Sequence, residues 1–217
     1  MNEQQKRAAM VENQLRPSNV HDPRVLSAMG LVSREAFLPP ALRSVAYNDE
    51  DLVLPDRGFL IEPLVLARML QALSLGPNDT LLVLGCVTGY AAVVASRLAG
   101  TVFLAVDGNA DQDALNSLFS AQEADNVFTV EPPRPLEGFP ENAPYDAILV
   151  IGALDRLPQA LLQQLPAGGH LAVVIRQRHG GRIKLVSRFE HGFAERDLFD
   201  ASTPAFVAAP ETPAFQF

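Results

Sequence analysis

Apolar positions fall into three regimes along this chain. Residues 2–15 mix polar and apolar positions at helical spacing, and Pro17 stops that pattern. Asp22-Pro23 reads as an N-cap followed by proline at the first helical position, opening a helix to about Met29. Ser33–Leu38 is a short helical piece broken by Pro39-Pro40, and Tyr47–Arg57 is acidic and irregular. After Glu62-Pro63 the residues Leu64, Leu66, Ala67, Leu70 and Leu73 recur at helical spacing until Gly76-Pro77. A second regime alternates apolar runs of strand length with helical patterns. Strands are predicted at Leu81–Leu84, Val102–Val106, Val127–Val130, Ala147–Ile151 and His170–Ile175, with helices at Ala91–Leu98, Ala110–Glu123 and Pro158–Leu165; Glu131–Pro144 is a proline-rich loop. Such alternation implies a doubly wound, mostly parallel sheet covered on both faces. In the third regime Gly180-Gly181 separates Leu171–Ile175 from Ile183–Phe189, and Phe193–Phe199 follows, so an antiparallel pair is expected at the sheet edge. The chain therefore divides into an N-terminal helical extension over 1–75, a Rossmann-like α/β domain over 76–200 and a Pro/Ala-rich tail over 201–217, with Phe206, Phe215 and Phe217 as anchors.

The informative junction is Thr80–Tyr90, TLLVLGCVTGY. A buried strand that turns on glycines into a helix is how doubly wound domains build a nucleotide pocket, because glycine lets a ligand approach the backbone and the helix start offers unpaired N–H groups.

Composition narrows the function classes. Apolar residues make up 48% of the 217 and charged residues 19%, enough for a sizeable core. The net charge of −8 argues against nucleic-acid binding. One cysteine fits a reducing compartment, and the polar N-terminus and the absence of a long apolar run argue for a cytoplasmic protein with no membrane partner. His21, His170, His179 and His191 lack the spacing of metal ligands. Arg176, Arg178, Arg182, Lys184 and Arg188 gather at the Gly180-Gly181 turn and read as a charged edge that deters aggregation.

The order of motifs carries a resemblance. Ala46-Tyr47-Asn48-Asp49, Gly85-Cys86-Val87-Thr88-Gly89-Tyr90, and Pro144-Tyr145-Asp146 entering a strand make the chain similar to the protein-L-isoaspartate O-methyltransferases, within the class I S-adenosylmethionine-dependent methyltransferases. The resemblance implies a class I methyltransferase fold, S-adenosylmethionine as cofactor and a protein or peptide carboxylate as substrate. It places Gly85, Cys86, Val87, Thr88, Gly89 and Tyr90 along the cofactor, with Gly85 and Gly89 at its methionine end. Asp107 closes the second strand, where a carboxylate can accept hydrogen bonds from ribose hydroxyls. Phe59, Leu60, Ile61 and Glu62 fall on the substrate-side loop. No catalytic base and no metal are expected, because the carboxylate nucleophile is ionised at neutral pH.

The chain departs from the family pattern at four places. Val83 stands where an acid supports the cofactor's ammonium group, and Val87 replaces the middle glycine. Pro132-Pro133-Arg134 replaces Gly-Asp-Gly near the adenine. Arg57-Gly58-Phe59-Leu60-Ile61 replaces Gly-Gln-Thr-Ile-Ser, exchanging both hydroxyls for apolar groups. A homologue that binds a partner without catalysis, or a methyltransferase with a changed acceptor, are the alternatives these departures leave open.

Overall fold

A computed structural model describes residues 2–54, 58–106, 108 and 110–206. The chain opens with helix α1 (Glu3–Met10), capped reciprocally by Asn2 and Gln5 and continued by a π-helical turn over Val11–Leu15. Helix α2 (Pro23–Leu31) starts at Asp22, whose carboxylate accepts from the Arg24 amide at 2.8 Å, as Asp-Pro predicts. Short 3₁₀ turns at Arg34–Phe37 and Pro40–Val45 follow. The stretch expected to be irregular contains strand β1 (Leu52–Leu54), paired antiparallel with β2 (Gly58–Leu60). Leu52 and Leu54 are buried and Val53 is exposed, an alternation too short to stand out among the surrounding acids. Helix α3 (Pro63–Leu73) ends where Ser74 takes a left-handed conformation with φ 52°.

The doubly wound sheet holds seven strands among the described residues, in the order β5-β4-β3-β6-β7-β8-β9. Strands β3 (Thr80–Leu84), β4 (Thr101–Ala105), β5 (Val127–Val130), β6 (Ala147–Leu154) and β7 (His170–Arg176) run parallel, and β8 (Gly181–Phe189) and β9 (Gly192–Asp200) form the antiparallel edge. The connecting helices are α4 (Tyr90–Ala95), α5 (Gln112–Ala121) and α6 (Gln159–Leu162). Strand β6 runs past the expected end at Ile151. Gly152 does not stop it but takes φ 112°, and the register against β7 shifts between Leu149 and Ala153.

Alternate residues of the central strands serve two cores. Leu81, Val83, Leu149 and Ile151 face a cluster that also takes in Met29, Leu66, Val94 and Phe119, so the N-terminal helices and the sheet share one apolar interior. Leu82, Leu84, Ile148 and Val150 face the opposite cluster with Leu161, Leu165 and Tyr145. Burial on both faces explains why these strands read as unbroken apolar runs. On the edge hairpin the basic cluster meets acids across the strands: Arg182 pairs with Asp200 at 2.6 Å, and Lys184 with Asp197 at 2.9 Å and Glu195 at 3.1 Å.

Candidate active site

From strand β3 the chain winds outward through β4 to β5, then crosses to β6 on the other side of β3. The order therefore reverses between β3 and β6, and the crevice beyond their C-terminal ends is where open α/β sheets take ligands. Residues 85–89 form the turn at that point. Gly85 (φ 77°) and Gly89 (φ 80°) both occupy backbone that L side chains avoid. A Cβ on Gly89 would sit 2.9 Å from the Phe119 ring, so glycine here lets α5 pack against the start of α4. Val87 needs no positive φ and is 37% exposed. Its methyl groups face Gly58 at the start of β2, the nearer one 3.4 Å from where a Cβ of Gly58 would project. The β-branched residue is thereby accommodated without backbone strain.

The expectation that α4 offers unpaired N–H groups is corrected for the first of them. The Gly89 amide donates to the Cys86 carbonyl at 3.1 Å, that of Tyr90 to Thr88 Oγ1 at 3.3 Å, and that of Ala91 to Cys86 Sγ at 3.3 Å. The loop's own short side chains reach back to the helix start, as small polar residues do at N-termini. Cys86 is buried, and burial pushes its thiol pKa up, which keeps it protonated and unreactive. Val83 lies wholly inside the sheet among apolar side chains, so nothing at that position can meet an ammonium group. Asp107 lies outside the described residues.

The segment from Phe59 to Glu62 is held from below. Phe59, Leu60 and Ile61 are buried, with Phe59 opposite Val53 in the β1–β2 ribbon. The amide of Glu62 donates to Asp51 Oδ1 at 2.7 Å. Partial burial, reinforced by Asp49 and then Asp51, raises the Glu62 carboxyl to about 7. Asp51 also rises, chiefly through burial. Sequence reasoning passed over Arg34, which is 0% exposed beneath this segment. Its Nε donates to the Ala46 carbonyl at 2.6 Å, and its guanidinium lies 5.1 Å from the centre of the Tyr90 ring. It ties the Ala46-Tyr47 motif to the glycine turn. An arginine among Ser33, Glu35 and the surface of a polar segment gives no sign in sequence that it is buried.

The fit of a nucleoside cofactor can be tested at Gly85. Its backbone has the form such a ligand requires, and the direction that a side chain would take is filled by the chain itself. A Cβ there would collide with the Ile151 carbonyl and stand 2.8 and 2.9 Å from two atoms of the Phe206 ring. On that side Gly85 packs directly against the end of β6 and the Phe206 ring, so only glycine fits at this position.

A doubly wound sheet, a glycine turn at its switch point and a helical extension roofing that turn together define a class I methyltransferase architecture. The family model described as protein-L-isoaspartate(D-aspartate) O-methyltransferase matches residues 4–209. Relatives include protein-L-isoaspartate O-methyltransferase 1 of Syntrophobacter fumaroxidans, 34% identical over 91% of this chain and 92% of its own length, and protein-L-isoaspartate O-methyltransferase 2 of Pelobacter propionicus, 35% identical over 80% and 77%. Among solved structures, a protein-L-isoaspartate O-methyltransferase superposes with a TM-score of 0.77 at 23% identity, covering 92% of this chain and 65% of that one. A Plasmodium falciparum candidate beta-aspartate methyltransferase, in complex with S-adenosyl-L-homocysteine, superposes with a TM-score of 0.74 at 17% identity, over 93% and 98%. The chain belongs to the protein-L-isoaspartate(D-aspartate) O-methyltransferase family.

Proposed function

We propose that this protein is an S-adenosylmethionine-dependent carboxyl methyltransferase acting on isoaspartyl sites in proteins or peptides. The observation that carries the reading is the family match over residues 4–209, with the Gly85–Gly89 turn at the sheet's switch point. S-adenosylmethionine would supply an electrophilic methyl group. The chain's own task is then to position an acceptor that is already ionised and to keep water out, so the lack of a poised base is no obstacle. In this reading Gly85, Cys86, Val87, Thr88, Gly89 and Tyr90 flank the cofactor, Asp107 accepts from its ribose hydroxyls, and Phe59, Leu60, Ile61 and Glu62 bound the acceptor side. The buried Leu60 and Ile61 make that side apolar, and Glu62, titrating near neutrality, sheds its charge as an anionic acceptor arrives in mildly acidic solution. The test is transfer of a labelled methyl group to an isoaspartyl peptide beside its aspartyl isomer. Base-labile label on the isoaspartyl peptide alone is the expected result. No incorporation at saturating donor would overturn the proposal.

A further inference from the structure

Arg34 and Phe37 leave the same 3₁₀ turn for Tyr90, the first residue of α4. The Phe37 ring meets that of Tyr90 edge-on with centroids 5.3 Å apart, and the Arg34 guanidinium lies 5.1 Å from the Tyr90 ring centre. The same guanidinium also reaches the acceptor-side segment. Its Nε donates to the Ala46 carbonyl at 2.6 Å, and its Nη2 stands 3.5 Å from the Leu60 carbonyl, at the limit of hydrogen-bond reach. Two residues on, the Glu62 amide donates to Asp51 Oδ1 at 2.7 Å. A cation at one peptide group and an anion at another thus hold residues 60–62, with the buried Ile61 between them. Val87 meets the β1–β2 ribbon at Gly58, so Arg34 supplies a second tie between the glycine turn and that ribbon. Among the described residues Arg34 Nη1 has no hydrogen-bond partner. Burying an incompletely paired cation is costly, and apolar side chains of similar volume often serve stability as well or better. What an apolar side chain cannot do is hold two carbonyls and an aromatic ring in fixed relation.

We propose that Arg34 is a positioning residue for methyl transfer: through the Leu60 carbonyl on one side and the Tyr90 ring on the other, it fixes residues 60–62 in register with the 85–90 turn. This rests on the carboxyl methyltransferase reading given above, in which that segment bounds the acceptor and the turn flanks the donor. Arg34 is 0% exposed, so it acts through the groups it holds. Transfer to an ionised carboxylate depends on the line of approach, and a misplacement of about 1 Å costs about a hundredfold in rate. Loss of Arg34 therefore falls on turnover and on acceptor binding. Donor affinity stays, because Phe37 still holds the Tyr90 ring at the start of α4.

The experiment compares the full-length wild type with Arg34→Met and Arg34→Lys. Methionine fills the space without charge or donors, and lysine keeps the charge but loses the fork. Initial rates with an isoaspartyl peptide give kcat and KM, calorimetry gives the affinity for S-adenosylhomocysteine, and amide hydrogen exchange reports on residues 60–62. The expected result in both variants is a kcat/KM lower by about tenfold or more, an S-adenosylhomocysteine affinity within about threefold of wild type, and faster exchange at the Glu62 amide. If Arg34→Met does not fold, Arg34→Lys decides by the same readings. Wild-type kcat and KM in a folded but less stable variant would show that Arg34 serves the fold alone; the positioning role is then wrong and the methyltransferase reading stands. A loss of S-adenosylhomocysteine affinity as large as the loss of kcat/KM would place its action on the donor turn and overturn the proposal too. No methyl transfer by the wild type overturns both.

Discussion

Gly85 shows most sharply what single residues do here. It needs a positive φ and has no space for a methyl group. Gly85→Ala is expected to lower stability by at least about 1–3 kcal/mol, from backbone strain together with the collision with Ile151. Urea unfolding checks this, and an unchanged midpoint would contradict the placement of the turn. Glu62 gives a prediction with a definite sign. Its folded pKa, about 7, lies above the ordinary 4.5, so the folded state holds the proton more tightly than the unfolded one. Stability therefore falls as pH rises from 4.5 to about 7 and levels off above. Glu62→Gln cannot ionise, so its stability relative to the wild type should rise between pH 5 and pH 8. A constant difference across that range would show that the carboxyl is not perturbed.

Among the elements, the N-terminal extension is fastened to the sheet by a polar group inside an apolar interior. Arg34→Ala would leave the Ala46 carbonyl unpartnered and a large cavity against Tyr90, and should cost about 2–4 kcal/mol by thermal or urea unfolding. A loss below about 0.5 kcal/mol would mean that Arg34 does not hold the extension. The edge hairpin should behave otherwise: Lys184→Ala removes partly exposed pairs to Glu195 and Asp197 and is expected to cost no more than about 1 kcal/mol, less at high salt. The elements were legible where burial was two-sided or a breaker was explicit. Leu81–Leu84, Asp22-Pro23 and Gly180-Gly181 each announced a strand, a helix start or a turn. The β1–β2 ribbon was not legible, because three-residue strands supply too few alternations. Gly152 misled because a glycine that ends a strand and one that bulges it look alike in sequence. At the site, the glycine turn could be read from its residues. Phe206 could be read as an anchor of the tail, but its docking place and the burial of Arg34 could not, since both depend on segments far apart in the chain meeting in space.

At the scale of the whole molecule, strand order sets where ligand chemistry can occur. The reversal between β3 and β6 brings Gly85, Gly152 and the returning C-terminal segment to one place, and the N-terminal helices roof it through Arg34 and Tyr90. Family membership and fold give the same reading of this crevice as a cofactor site. The most direct measurement is a crystal structure of the chain grown with S-adenosylhomocysteine. The account predicts ligand density beside the 85–89 turn, in the crevice at the C-terminal ends of β3 and β6. Density for the ligand elsewhere on the molecule, or an empty crevice at saturating ligand, would contradict it.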